Sequence, residues 1–218
     1  MKIPVIINNR DLFTWPKKMV DKIKTLNDVG DIYIVDNGST YEPLLEWYES
    51  KPCDIIKVKN LGHISPWLCG LINSFDTPYV VTDPDLNIDN IPNNTLTYLN
   101  CVLNIFSDIG KIGLALDWES VTSDLEYYQH MQKFYYPIYS EEPIFPNVYN
   151  FPVDTTFAIY NRKEYFIGGY SVSGEYKAGH LPWYLNKKER ETNEEFLYYL
   201  NNSNSSCSYK NYIKQNAL

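Results

Sequence analysis

Tyr79-Val80-Val81-Thr82-Asp83-Pro84-Asp85 sets the reading of this chain: an apolar run of strand length that stops at two carboxylates one residue apart. In a strand, residues i and i+2 point to the same side, so Asp83 and Asp85 are placed to face one ion. Pro84 fixes the backbone between them and marks the exit from strand to loop. The exit of a parallel strand is its carboxyl end, where open α/β sheets bind their ligands. Two hard oxygen donors suit Mg²⁺ or Mn²⁺, and such an ion suits a diphosphate. A solvated turn is the competing reading, because Asp-x-Asp recurs by chance.

Working upstream, Ile3 to Ile7 is a short apolar strand ended by Asn8-Asn9-Arg10. Met19, Val20, Ile23 and Leu26 follow helical spacing, so a helix is expected from Pro16 to Val29, with Gly30 as its stop. Ile32 to Val35 reads as a second strand, Glu42 to Glu49 as a helix and Ile55 to Val58 as a third strand. Asn60-Leu61-Gly62-His63 then turns the chain into a helix over Pro66 to Phe75. Strands alternating with helices predict βαβ units and a right-handed, largely parallel sheet. Continuous apolar strands fit burial on both faces.

Downstream, Asn94 to Ser107 reads as a helix, Ile112 to Leu116 as a strand and Leu125 to Phe134 as helical. The proline-bearing stretch from Tyr135 to Phe151 reads as an extended loop. Thr155 to Tyr160 is a β-run after Asp154. Gly168-Gly169 and Gly174 read as a flexible segment before Gly179-His180, and Glu194 to Leu200 as a last short helix.

Composition narrows the function classes. With 218 residues, one α/β domain is expected, and 44% hydrophobic with 21% charged residues is ordinary for a soluble protein. A formal charge of −8 and the lack of a basic stripe argue against nucleic acid. Cys53, Cys69, Cys101 and Cys207 lack C-x-x-C spacing and read as free, mostly buried thiols of a reducing compartment. The chain begins directly with a strand, and no run approaches the ~20 apolar residues of a membrane span. The expectation is a soluble, cytoplasmic protein. Neither G-x-G-x-x-G nor a Walker loop follows the early strands, which disfavours dinucleotide and P-loop chemistry.

Val35-Asp36-Asn37-Gly38-Ser39-Thr40 places a carboxylate at another strand exit, where it can accept from a ribose hydroxyl or a base N–H. Asn37-Gly38 as a plain turn and Ser39 or Thr40 as a helix cap account for the rest of that segment. Taken in order, Asn8-Asn9-Arg10, Val35-to-Thr40, Asn60-Leu61-Gly62-His63 and Asp83-Pro84-Asp85 resemble the nucleotide-sugar half of glycosyltransferases of the GT-A fold, family-two-like. The likeness covers residues 1 to about 90 and reaches more thinly to His180.

That resemblance implies an α/β, Rossmann-like, mixed and mainly parallel sheet flanked by helices in a single domain over 1–200. Residues 1–90 would bind the nucleotide, 91–200 would serve the acceptor, and 201–218 would form a polar tail. It implies a transferase moving a hexose from a nucleoside diphosphate, UDP first, to a glycan or small glycoside. Asn8, Asn9 and Arg10 would line the uracil pocket and Asp36 would bind the base. Asn60, Gly62 and His63 would flank the nucleoside, Asp83 would reach the ribose, and Asp85 with His180 would hold Mn²⁺ or Mg²⁺.

An inverting enzyme also needs a general base. The Glu-Asp pair that family members place after the second-half strand is missing here. Asp154 is the first candidate, followed by Glu175 and Asp117. Tyr127-Tyr128, Tyr135-Tyr136, Trp183 and Tyr184 offer aromatic faces for an acceptor, while core packing explains many of them equally. The same aromatic-rich half allows a homodimer. Two other readings stand beside this one: a sugar-nucleotide nucleotidyltransferase, disfavoured because Asn8-Asn9-Arg10-Asp11 has no Gly, and a nucleotide- or glycan-binding module that has lost its base.

Overall fold

Apolar residues on both sides of the first strand dictate its central place. In β1 (Ile3–Asn9), Ile3, Val5 and Ile7 pack on one face with Met19, Val20 and Ile23 of α1 (Thr14–Ile23). Ile6 turns to the other face and joins Val35 and Val81. The computed structural model describes residues 1–76, 78–122, 128–129, 132–133, 135, 141–153 and 156–203. β1 lies between two parallel neighbours, β2 (Val29–Asp36) and β4 (Tyr79–Thr82), and β3 (Asp54–Lys57) runs parallel to β2.

The remaining strands are β5 (Leu86–Asn87), β6 (Lys111–Leu116), β7 (Val148–Tyr149), β8 (Ala158–Tyr160) and β9 (Tyr170–His180). Their order is β3-β2-β1-β4-β8-β6-β9-β5, with β7 also paired to β9. β8 is antiparallel to both β4 and β6, so β6 and β9 run with β1 to β4. One mixed, mainly parallel sheet thus passes through both halves of the chain, flanked by helices. This is the Rossmann-like sheet that the GT-A resemblance implies.

α1, α2 (Glu42–Glu49) and α4 (Thr95–Ile105) supply buried side chains to one face, led by Leu44 and Tyr48 from α2 and Leu96, Leu99 and Val102 from α4. The opposite face is covered in its first half by Trp67 of α3 (Ser65–Leu68) and by Ile72.

Several boundaries depart from the sequence reading. α1 ends at Ile23 rather than Val29, because Val29 already pairs with Ile3 in the sheet. Gly30 is therefore no helix stop; a Cβ there would meet the Ile3 backbone at 3.1 Å. The helix expected over 66–75 is broken at Gly70, whose φ of +82° no helix accommodates, into α3 and a 3₁₀ turn at Leu71–Ser74. The glycine-punctuated segment is not a flexible loop but contains β9, the longest strand. Leu114 pairs with Val172 and the next residue, Ala115, with Lys177, so residues 173–176 bulge out around Gly174. A helix at Lys187–Thr192, closed by an Asn186 capping box, precedes the helix Glu194–Asn202.

The described cysteines are free but not mostly buried: Cys53 and Cys69 are half-buried and Cys101 is exposed on α4. Cys207, most of the helix expected over 125–134 and the tail beyond 203 lie outside the described residues. Among the described residues, no helix is long and apolar enough to cross a membrane.

α1 lacks a side-chain cap of its own, and the far end of the chain provides one. Glu195 Oε1 accepts from the Phe13 and Thr14 N–H groups at 2.6 and 2.9 Å, and Oε2 accepts from Thr14 Oγ1 at 2.6 Å. The carboxylate thereby satisfies donors that a helix start leaves open and complements its positive end.

Two variants test these contacts. Gly113→Ala would press a Cβ to 2.4 Å from Val153 Cγ1 and 2.9 Å from Ala158 Cβ, so urea denaturation should show a loss of about 1–3 kcal/mol. Glu195→Ala should cost about 1–2 kcal/mol and raise hydrogen exchange at the Phe13 and Thr14 amides while the β1 amides stay protected. Unchanged exchange at those two amides would show that the cap contributes nothing.

Candidate functional site

Because β1 to β4 are parallel neighbours, their exits share one edge of the sheet. The register aligns Asn9 with Asp36 and Asp36 with Lys57, while Thr82 sits across from Ile7. The segments read from sequence as one ordered series are therefore brought together in space.

Asp11 stitches the first two exits. Its carboxylate is fully buried, and its Oδ1 accepts from the Thr40 and Tyr41 N–H groups at 2.6 and 3.1 Å. Its Oδ2 lies 3.4 Å from Arg10 Nε. The Asp11 N–H donates to Ser39 Oγ at 2.9 Å, and that hydroxyl donates in turn to Asp36. Asn9 is also fully buried; its Nδ2 donates to the Leu12 carbonyl at 2.8 Å and to the Tyr48 hydroxyl at 3.0 Å. Asn9 thus shapes the loop from within instead of lining a pocket wall.

Asn37 joins the second exit to the third. Its Nδ2 donates to the Gly62 carbonyl at 2.8 Å and its Oδ1 accepts from the Leu61 N–H at 2.7 Å. The turn reading of Asn37-Gly38 holds for Gly38, which has φ +76° and sits where a Cβ would lie 3.3 Å from Asn60 N. It understates Asn37. Asn8 Nδ2 reaches the His63 carbonyl at 3.3 Å, and Asn60 Oδ1 accepts from the Gly62 N–H at 3.2 Å. The His63 ring is exposed and packs edge-on against Tyr165, 5.5 Å between centroids.

Asp83 and Asp85 do not obtain their positions from strand alternation. β4 ends at Thr82, and Pro84-Asp85 form a turn leading into β5. Asp83 is half-buried there, and Thr82 Oγ1 donates to its carbonyl at 3.0 Å. β5 pairs with the end of β9, Leu86 opposite His180, and the Leu181 N–H donates to the Asp85 carbonyl at 2.8 Å. His180 Nε2 consequently stands 3.3 Å from Asp85 Oδ2 across 95 residues of sequence.

One carboxylate oxygen and one imidazole nitrogen fit a divalent ion. Ligands about 2.1 Å from an octahedral ion lie about 3 Å apart along an edge, close to the observed separation. Among the described residues, no three His, Cys, Asp or Glu side chains gather in a metal-sized group. Asn8 Oδ1, Arg10 Nη1 and His180 Nδ1 are buried at this edge without a hydrogen-bond partner among the described residues.

The base candidates separate. Asp154 lies outside the described residues, as do Tyr127, Tyr136 and His130. Glu175 is exposed on the β9 bulge beside Tyr176, on the face of α4. Asp117 follows β6 at the same carboxyl edge, where it accepts from Ser120 Oγ at 2.5 Å and lies 3.5 Å from Lys177 Nζ. Lys177 also pairs closely with Glu119, so Asp117-Trp118-Glu119 brackets one ammonium. Of the aromatic residues, Tyr128, Tyr135, Trp183 and Tyr184 belong to a third apolar cluster with Phe196. Trp183 packs 4.8 Å from the His180 ring.

Sequence reasoning missed Asp11 and Glu195. Asp11 carried a local signal, an acidic residue directly after the Asn-Asn-Arg strand exit, and it adopts φ +52°. Glu195 carried none, because its partners lie more than 180 residues away.

Burial pushes the Asp36 carboxyl above its ordinary range, against the two hydrogen bonds from Ser39; Asp11 adds to the rise and Lys57 opposes it. A raised native pKa means that ionising Asp36 destabilises the fold as pH climbs above the usual aspartate range. Asp36→Asn should therefore melt higher than the natural chain at neutral pH, with the gap closing as pH falls below about 4. A gap that widens in acid would reverse this assignment.

No family model matches the chain, and no curated protein matches it. Solved structures resemble it in part. Glucosyl-3-phosphoglycerate synthase from Mycobacterium tuberculosis in complex with Mn²⁺, UDP and glucosyl-3-phosphoglycerate aligns with a TM-score of 0.46 at 15% identity, over 73% of this chain and 56% of that one. Its complex with Mn²⁺, UDP-glucose and phosphoglyceric acid gives 0.45 at 14% identity over the same shares. S. aureus TarS gives 0.41 at 13% identity over 54% of this chain and 36% of that one. The chain spans little more than half the length of the synthase, and the likeness is confined to part of the fold.

Proposed function

We propose that the chain is a metal-dependent glycosyltransferase that moves a hexose from a nucleoside diphosphate, UDP first, to an acceptor hydroxyl. The single observation that carries this reading is the meeting of Asp85 with His180 beside the joined exits of β1 to β4. A divalent cation held by that pair would adjoin a wall of amide, guanidinium and carboxylate groups. That juxtaposition suits a ligand with a base and ribose at one end and a diphosphate at the other.

In this reading Asp85 and His180 hold Mn²⁺ or Mg²⁺, which supplies charge neutralisation to the departing nucleoside diphosphate. Asn8, Arg10 and Asp36 face the base, with Asn9 holding their loop in shape. Asn60, Gly62 and His63 flank the nucleoside, and Asp83 takes the ribose. Arg10 Nη1 offers a donor that Asp11 does not use. Transfer with inversion assigns the acceptor's general base to Asp154, with Asp117 next because it shares the carboxyl edge.

UDP release from UDP-glucose, UDP-GlcNAc or UDP-galactose with Mn²⁺ tests the reading. Asp85→Ala should lower turnover by about 10²-fold or more. In thermal melts, UDP at about 100 times its Kd should add about 2.7 kcal/mol, more with Mn²⁺ than without, and His180→Ala should remove the Mn²⁺-dependent part. Tight UDP binding without turnover on any acceptor would instead support the binding module. Melts unmoved by UDP, GDP and dTDP with metal would sink both.

A further inference from the structure

A cavity of about 420 Å³ opens on the sheet face opposite α1 and α4, in the second half of the chain. Its origin is in the sequence of two strands. Along β6, Ile112 and Leu114 pack towards α4, so Gly113 and Ala115 turn to the other face. Ser171 of β9 pairs with Gly113 and shares that face. Three small side chains therefore lie where the first half of the sheet has Ile6, Val35 and Val81 under α3. Here a strap at residues 151–153, not a helix, lies over the strands, with Val153 packed over Gly113.

The walls are mostly carbon: Tyr135, Phe151, Pro152, Val153 and Ile167, the last of these 77% exposed at the rim. Hydroxyls come from Tyr135, Thr156 and Ser171, and Ser171 lies deepest of the three. Ser171 is 2% exposed, lines the cavity, and its Oγ has no hydrogen-bond partner among the described residues. A hydroxyl buried in this way is costly unless something bonds to it.

The cavity adjoins the site described above. Leu116 lines it and directly precedes Asp117. The Tyr135 ring lies 5.6 Å from Trp183, and Trp183 lies 4.8 Å from His180, whose Nε2 is 3.3 Å from Asp85.

We propose that this cavity is a subsite for an apolar, ring-sized group of the acceptor, an aryl or branched-alkyl aglycone carrying one oxygen that bonds to Ser171. The word acceptor rests on the glycosyltransferase reading; the preference for a carbon ring with one polar atom does not. A carbon ring suits these walls better than a sugar, whose many hydroxyls outnumber the partners offered by Tyr135, Thr156 and Ser171. The volume is in the range of small-molecule pockets, about 300–1,000 Å³.

The test uses naphthol as probe on the full chain, by calorimetry or ligand-observed NMR, with nitrophenyl glycosides as acceptors. Naphthol should bind, and Ala115→Leu, which fills the space, should weaken it by about tenfold or more while leaving the UDP-dependent melt shift unchanged. Ser171→Ala, which removes only the hydroxyl, should weaken it about fivefold and serves where Ala115→Leu fails to fold. In transfer assays with glucose, galactose and mannose series, nitrophenyl glycosides should exceed the free sugars by about tenfold in kcat/KM. No naphthol binding, equal binding by both variants, or equal use of aryl and free acceptors would each overturn the subsite. Naphthol binding abolished by Ala115→Leu, with no UDP release on any acceptor, would uphold the cavity's chemistry and remove the glycosyltransferase reading instead.

Discussion

A buried carboxylate, Asp11, holds the functional edge together. Fully removed from solvent, it must find donors, and it takes them from the backbone of the next strand's exit at Thr40 and Tyr41 and from Arg10 beside it. The loops after β1 and β2 therefore cannot move independently. Ser39 extends the link to Asp36, and Asn37 extends it to Leu61 and Gly62. Three loops that parallel pairing merely sets side by side thus become one wall of fixed donors and acceptors. From the far end of the chain, Glu195 fastens the same region by capping α1, and Tyr198 packs 5.0 Å from Tyr41.

The two halves solve the problem of covering a sheet differently. The first half places helices on one face and α3 with its 3₁₀ turn on the other, so its strands read as unbroken apolar runs. In the second half α4 covers one face, while on the other Gly113, Ala115 and Ser171 lie beneath a thin strap. Closing that side with small residues leaves space beside the carboxyl edge of the sheet. The reversed strand β8 makes this possible: it interrupts the parallel order and lets β6 and β9 bring Asp117 and His180 back to the edge where Asp85 waits.

Much of the first half was legible. Tyr79–Thr82 and Glu42–Glu49 fall where apolar runs and helical spacing put them, because local periodicity and burial agree there. The four exit motifs were legible as a series, since each is a polar cluster closing an apolar run. Gly30, Gly70 and Gly174 were misread for one common reason. A glycine signals that a side chain is unwelcome or a dihedral is unusual, but not whether the cause is a close strand, a broken helix or a bulge. The helix at Lys187–Thr192 was missed because it is short and owes its start to a capping box rather than to apolar spacing.

The sequence by itself determined the α/β class, the strand exits where polar clusters gather, and the residues from Asn8 to Asp85 that belong to them. These follow from patterns within a few residues, where period and composition act directly. Only the tertiary structure decided that His180 meets Asp85, that Glu195 caps α1, that Asn9 is buried within its loop, and that a cavity lies beside Ala115 and Ser171. Each of these depends on strand order and register between segments tens to nearly two hundred residues apart. Local sequence cannot encode such pairings, because they are set by the burial of whole sheet faces and by buried polar groups finding partners across the fold.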